Sequence, residues 1–330
     1  MKKSKIALVT GCAGFIGSHM CDYLLKKNFT VYGIDNLSSG KFKNIKHIKS
    51  KNFKFSKLDI KNSKFFFKRK KIDYIFHFAG NGELIPSIDN PIKYLKNNTI
   101  NTAYLLDQVI KNKIRLKKFV YAASSTCYGM NNSKTNEKAK ISIEHPYALS
   151  KYLGELCVMH WAKIYNIPSV SIRIFNAYGT RSRTSNVYGA VIGVFLRQKI
   201  SNYPLTIVGD GTQKRDFLYV TDVCDAFYKA AINKSNIEIF NLGFGKSKSV
   251  NYLASLINNK KINIPWRPGE PKKTEADINK ISNILKWKPT IDLKEGINLV
   301  LKNINYWKKA PLWTRKSIKN ATQNWQKYLK

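Results

Sequence analysis

The sequence is poor in acid. Only 20 aspartates and glutamates stand against 58 lysines and arginines, a net charge of +38 over 330 residues. A positive field of that size attracts polyanions whatever the fold. Arginine is scarce as well, nine of the 58, and the lysines are spread through every segment among asparagines and isoleucines. The excess therefore reads as a bias of the whole chain and a solvated surface, which weighs against a dedicated nucleic-acid patch. No run of 18 apolar residues occurs, and the apolar stretch in "MKKSKIALVTG" is too short for a secretory leader, so no membrane span is expected. The five cysteines (Cys12, Cys21, Cys127, Cys157, Cys224) form no CxxC pair and are odd in number, which fits a reduced, cytoplasmic setting. The five histidines lack paired metal spacing, and no metal is expected. His77 sits in an apolar strand and reads as a core residue, while His145 reads as a loop residue just before Pro146 and Tyr147.

What is present is enough for a packed core: 43% of residues are hydrophobic and 12% aromatic. At this length a chain divides into two lobes. "KIALVTG", "TVYGID", "KFSKLDI", "IDYIFHFAG", "KKFVYAASS" and "PSVSIRIFN" read as strands. Helical segments fall after the first strand and near Pro91 to Lys111 and Pro146 to Tyr165. That alternation predicts an α/β fold with a doubly wound parallel sheet over residues 1–176, because parallel strands need crossover connections. Residues 177–330 read as a smaller α/β substrate lobe, with segments such as "EIFNLG" rejoining the sheet. The basic last twenty or so residues, with their spaced tryptophans, read as a surface helix or a frayed tail.

"VTGCAGFIGSH" sets Gly11, Gly14 and Gly17 between the first strand and the first helix. Glycine suits that turn because the backbone must bend sharply and approach a pyrophosphate, which the free N–H groups of a helix start then bind. Asp35 ends the second strand 18 residues after Gly17, where a carboxylate can accept from the adenosine ribose hydroxyls. A phosphate on that ribose would meet like charge, which favours NAD over NADP, although Lys41 and Lys43 soften the preference.

Further along, Tyr147 and Lys151 stand four apart on one helix face, and Ser124 ends the strand "KKFVYAAS". Tyrosine titrates near 10, so a tyrosine base at neutral pH must fall by roughly three pH units, about 4 kcal/mol. One nearby cation supplies about one to three of these, so Lys151 and an oxidised nicotinamide together would suffice. Ser124 would hold the oxygen whose proton Tyr147 takes.

These residues resemble the extended short-chain dehydrogenase/reductases that act on nucleotide sugars, the UDP-hexose 4-epimerases in particular. The likeness runs in order through "TGCAGFIG", "DNLSSG", "SSTCYG", "YALSK", "RIFNAYG", "GDGTQKRDFLYVTDV" and "RPGEPKKTEADINK". It implies a Rossmann-like fold, a homodimer paired through the helices near Asn98 to Asn112 and Tyr147 to Tyr165, and reversible oxidation at sugar C4 by resident NAD, with Ser124, Tyr147 and Lys151 catalytic. By motif match, Phe15, Ile16, Asn36, Ser38 and Ser39 would join the glycines and Asp35 around the cofactor. Asp59 and Ile60 would contact adenine, while Phe78, Ala79, Gly80, Asn98 and Phe175 would line the dinucleotide and Lys151 would hold the nicotinamide ribose. Ser124, Ser125, Asn176, Arg215 and Arg267 would bind a UDP-sugar, and Thr274 matches the family's pocket gate, where a small side chain admits N-acetyl groups. Of the scarce arginines, Arg173, Arg181, Arg183, Arg215 and Arg267 all fall in segments bordering the expected cleft, and a planar guanidinium suits a diphosphate.

Departures narrow the reaction. Ser125 and Thr126 follow Ser124, where water-eliminating relatives carry Asp and Glu and decarboxylases usually carry Glu at the Thr126 position. Cys127 stands one place beyond the cysteine of GDP-sugar epimerases and reads as packing. A dehydratase, a decarboxylase or a uronate epimerase on the same fold stays open, as does an idle dinucleotide-binding protein that holds nucleic acid.

Overall fold

The chain is described by a computed structural model in which residues 4–68, 71–182 and 188–329 are placed. Seven parallel strands make the central sheet: β1 (Ile6–Thr10), β2 (Thr30–Asp35), β3 (Phe53–Lys57), β4 (Tyr74–His77), β5 (Lys118–Ser124), β6 (Ser169–Ile174) and β7 (Glu238–Leu242). Their spatial order is β3-β2-β1-β4-β5-β6-β7, reversing direction between β1 and β4. Such a switch point leaves a crevice beyond the carboxyl ends of the strands. Helices cover both faces of the middle strands, so every residue of β5 and of β6 is buried, including the polar ones.

Four helices position the site. Helix α1 (Phe15–Lys26) follows the glycine turn and buries Met20, Cys21 and Leu24 against the sheet. Helix α2 (Asn101–Lys111) is preceded by a wide π turn over Leu95–Ile100 that swings Asn98 inward. Helix α3 (Pro146–Ile164) opens with Pro146, which is suited to a first turn lacking N–H acceptors. Helix α4 (Val220–Ile232) packs against α1.

Glu238–Leu242, read from sequence as a segment that rejoins the sheet, is its seventh strand and pairs with β6 from Glu238↔Val170 to Leu242↔Ile174. Past the sixth strand the chain builds a second buried cluster, with Phe195, Leu205, Leu253, Ile297, Trp307 and Trp325, which also takes in Ile85. The tail is helical at the surface, one of the two expected forms, and is not frayed. Two short helices, Arg315–Ala321 and Gln323–Tyr328, dock on the second lobe, the first held by a capping box at Thr314 and Ser317. The physical reason is the apolar area of Trp325, which outweighs the surrounding lysines once it is enclosed.

Candidate active site

The glycine turn is closed by contacts that admit no side chain. Gly11 has φ +67°, and a Cβ there would meet the Ala79 backbone nitrogen at 2.8 Å. A Cβ on Gly17 would collide with the Gly11 carbonyl oxygen. The turn is thereby pressed against the end of β4, and beside it opens a cleft. Gly11, Gly14, Asp35, Asn36, Ser38 and Ser39 line it. So do Asp59, Ile60, Phe78, Ala79 and Gly80.

Asp35 accepts from Ala13 N (3.0 Å) and Leu37 N (2.7 Å). Burial pushes its carboxyl up, and those two N–H donors pull it back. A carboxylate has about four acceptor positions, so two remain for hydroxyl donors. A bare turn, an open helix start and a half-satisfied carboxylate fit a dinucleotide.

Phe15, Ile16 and Gly17 sit behind the cleft in the first turn of α1, where the two apolar residues pack on the core. Asn98 is buried behind it too: its side chain accepts from Asn81 N (2.7 Å) and donates to Ser150 Oγ (2.9 Å), so it ties the loop after β4 to α3. Phe175 lies under Tyr128 in a small cluster with Cys127 and Ala276. Asn81, Asn97 and Asn101 line the cleft and escaped the sequence reading. Their signal was there, since Asn97 and Asn101 are one helical turn apart. Lys43 is drawn over the Tyr306 ring, 3.6 Å from its centroid.

His77 pairs with Tyr121 across β4 and β5, so Gly80 and Ser124 leave the sheet three residues beyond a shared rung. Ser124 ends β5 and accepts from Thr126 N, capping the short helix Ser125–Tyr128. Tyr147 is buried in the first turn of α3, with its ring between Tyr94 (edge-on, 6.2 Å) and His145 (stacked, 6.0 Å). Ser124 lies within reach of the Tyr147 phenol, and Lys151 stands one turn along α3.

In the ligand-free site burial dominates both titrating groups. Burial pushes the Tyr147 phenol up to about 12; the Ser124 hydrogen bond pulls it down, and the Glu83 carboxylate pushes it further. The Lys151 ammonium lies 4.5 Å over the Tyr121 ring. Burial lowers Lys151 from 10.5 to about 7, opposed by the charge of Glu155. Between about pH 7 and 10.5 the unfolded chain keeps a proton that the folded chain has released, so this group's destabilising effect is greatest below that window and fades through it. Lys151→Met is therefore expected to raise the melting temperature of nucleotide-free protein more at about pH 6 than at about pH 9, as scanning calorimetry would show.

At the second lobe, Thr274 Oγ1 donates to Asn176 Oδ1 (3.2 Å). Arg215 and Arg267 converge on Glu270, at 3.5 and 3.0 Å, with Arg267 over the Tyr188 ring. Glu270 is the member that sequence reasoning missed, although its spacing from Arg267 within "WRPGE" was visible. Ser125 remains half-exposed beside Ser124. Arg173 is not a cleft arginine. It is buried and paired with Glu155 (2.6 Å), and its other nitrogen donates to Tyr128 Oη (2.7 Å). A guanidinium on an all-buried strand has to find its counter-charge inside. Arg181 pairs with Asp22 at 2.7 Å, and Arg183 lies outside the described residues. His77 bonds Thr10 and Thr102 through its two ring nitrogens, a satisfied core residue. Cys127 is buried packing, its thiol pushed up to about 12.

The family model described as "NAD dependent epimerase/dehydratase family" matches residues 7–243. The chain belongs to this family. As a member it is an NAD-dependent enzyme with a Rossmann-like sheet. A UDP-glucuronate 4-epimerase of Thermodesulfobacterium geofontis is 32% identical over 94% of this chain and 98% of its own. Two solved structures superpose closely, each covering 91% of this chain and 99% of its own at 32% identity. One is the UDP-glucuronic acid 4-epimerase of Bacillus cereus in complex with UDP-glucuronic acid and NAD, with a TM-score of 0.84. The other is the UDP-N-acetylglucosamine 4-epimerase of Methanobrevibacter ruminantium M1 in complex with UDP-N-acetylmuramic acid, with a TM-score of 0.83.

Proposed function

We propose that this family member inverts C4 of a UDP-hexose through a transient 4-keto sugar. The observation that carries the reading is the Tyr147 phenol within reach of Ser124 at the carboxyl edge of the sheet, with no carboxylic acid in the Ser125–Thr126 step. NAD, when bound, supplies a reversible acceptor for the C4 hydride. Tyr147 takes the C4 hydroxyl proton as the hydride leaves and returns it when the hydride comes back to the other face of the ketone. Ser124 holds that oxygen throughout. Lys151 and the positive charge of the bound cofactor together stabilise the anionic phenol, which in the ligand-free site lies far above neutrality. Arg215, Arg267 and Asn176 grip the diphosphate end.

For the sugar, the small Thr274 beside Asn176 supports UDP-N-acetylglucosamine and its galacto epimer, and the Methanobrevibacter relative bears an N-acetyl substrate in its name. A uronate is the second reading, favoured by the relatives that act on UDP-glucuronate. The test is incubation with a panel of UDP-sugars without added cofactor, followed by separation of products of unchanged mass. A change of mass or consumption of reduced cofactor would assign a dehydratase, decarboxylase or reductase instead. Thr274→Tyr is expected to cut turnover of the acetylated sugar by about 100-fold while sparing the unacetylated one; equal loss of both would refute the gate.

A second copy of the chain is the proposed partner. Leu149, Leu156, Ile164 and Tyr165 of α3, with Ile92 and Ile100 of the preceding helical segment, leave large apolar groups exposed. Light scattering is expected to give twice the chain mass, and Leu156→Glu should shift it toward one.

A further inference from the structure

The short helix Gln323–Tyr328 touches three parts of the site at once. Trp325 Nε1 donates to the Pro268 carbonyl (2.8 Å), next to Arg267, and Gln326 Nε2 donates to the Trp266 carbonyl (3.1 Å). Leu329 covers Gly269, whose missing Cβ would come within 3.4 Å of it. Asn324 Nδ2 donates to Asp89 (2.7 Å), in the helix that follows the loop after β4. The Trp325 indole also lies 5.4 Å from the His145 ring, and that ring stacks on Tyr147 at an interplanar angle of 11°.

His145 has a second tie to Tyr147. Its Nδ1 accepts from Ala148 N (3.2 Å) and caps α3, the helix on which Tyr147 and Lys151 are carried. An acceptor Nδ1 fixes the neutral tautomer with its proton on Nε2. The ring is thus locked as a flat plate between the indole and the phenol. The matched family region ends at residue 243, well before this segment.

We propose that Trp325 is a positioning residue that couples the two ends of the reaction site: through the Pro268 carbonyl it sets the Arg267 loop, and through the His145 plate it sets the Tyr147 ring. The inference rests on the roles proposed above for Tyr147 and Arg267. Two arms reach different steps, so they separate in kinetics. Trp325→Phe keeps the plate contact and loses the indole donor; UDP affinity should fall about fivefold, the worth of one hydrogen bond, with kcat held. His145→Asn keeps a good helix cap and loses the plate; kcat should fall about fivefold with UDP affinity held. Trp325→Ala should show both losses.

Calorimetric titration with UDP, steady-state turnover and a thermal melt on each full-length variant decide it. If Trp325→Ala lowers the melting temperature and leaves UDP affinity and kcat at wild-type values, the residue is packing alone and the coupling is overturned. Failure of the functional reading is distinguishable: a wild-type chain that turns over no UDP-sugar refutes the reaction, while UDP titration of Trp325→Phe still reports on the Arg267 arm.

Discussion

Tyr147→Phe is expected to lower sugar interconversion by about 10³-fold, within the range for loss of a general acid–base group, and to leave NAD bound. The ring itself is held by Tyr94 and His145 and is buried, so its place in the fold survives loss of the oxygen. None of the cleft's lining residues is touched, which is why the dinucleotide should stay. Turnover of the best UDP-sugar, together with nucleotide released on denaturation, measures both parts. Retained turnover would remove the phenol from the chemistry. The ligand-free phenol near 12 adds a pH signature. Activity must rise with pH until the phenol in the loaded enzyme has ionised, and that acid limb belongs to Tyr147 only if nucleotide and substrate bring the phenol far below 12.

Glu155→Ala is expected to destabilise the fold by about 3–5 kcal/mol, the cost of stranding a buried partner charge, in a protein whose whole stability is of order 5–15 kcal/mol. Glu155 takes two bonds from Arg173 Nε (3.2 and 3.0 Å), one from its Nη2 (2.6 Å) and one from Ser171 Oγ (2.8 Å). Arg173 in turn donates to Tyr128, and Tyr128 to Asn241 on β7. One carboxylate on α3 therefore knits β6, β7 and the turn after Ser124. Urea unfolding of Glu155→Ala measures the loss. Removing both partners, as Glu155→Leu with Arg173→Leu, should recover most of it, because no lone charge is then left inside. Equal damage from the single and double variants would refute the pairing argument.

The sheet was legible in the sequence because a doubly wound fold repeats one pattern, an apolar run, a turn and a helix. The glycine turn was legible because close backbone approach leaves glycine no substitute. Ser124, Tyr147 and Lys151 were readable as a set, since the helical spacing of the last two and the strand end of the first survive translation into space. Arg173 was misplaced because a sequence shows that arginine is rare without showing that a glutamate 18 residues earlier lies inside with it. The depth of burial at the site was not legible from spacing: it raises the ligand-free phenol and lowers Lys151, whose ammonium lies over Tyr121. The docking of the tail was not legible because its lysines are local while the surface that Trp325 fills is built from the Pro268 loop and His145.

Because β7 comes from Glu238–Leu242, the flank of β6 stays bare during synthesis until the second lobe's first helices have already left the ribosome. At about 5–20 residues per second that is a delay of seconds in which an apolar edge can pair with a neighbouring nascent chain. The nucleotide-binding half thus cannot mature ahead of the rest, and a fragment ending at residue 176 should need a chaperone to stay in solution.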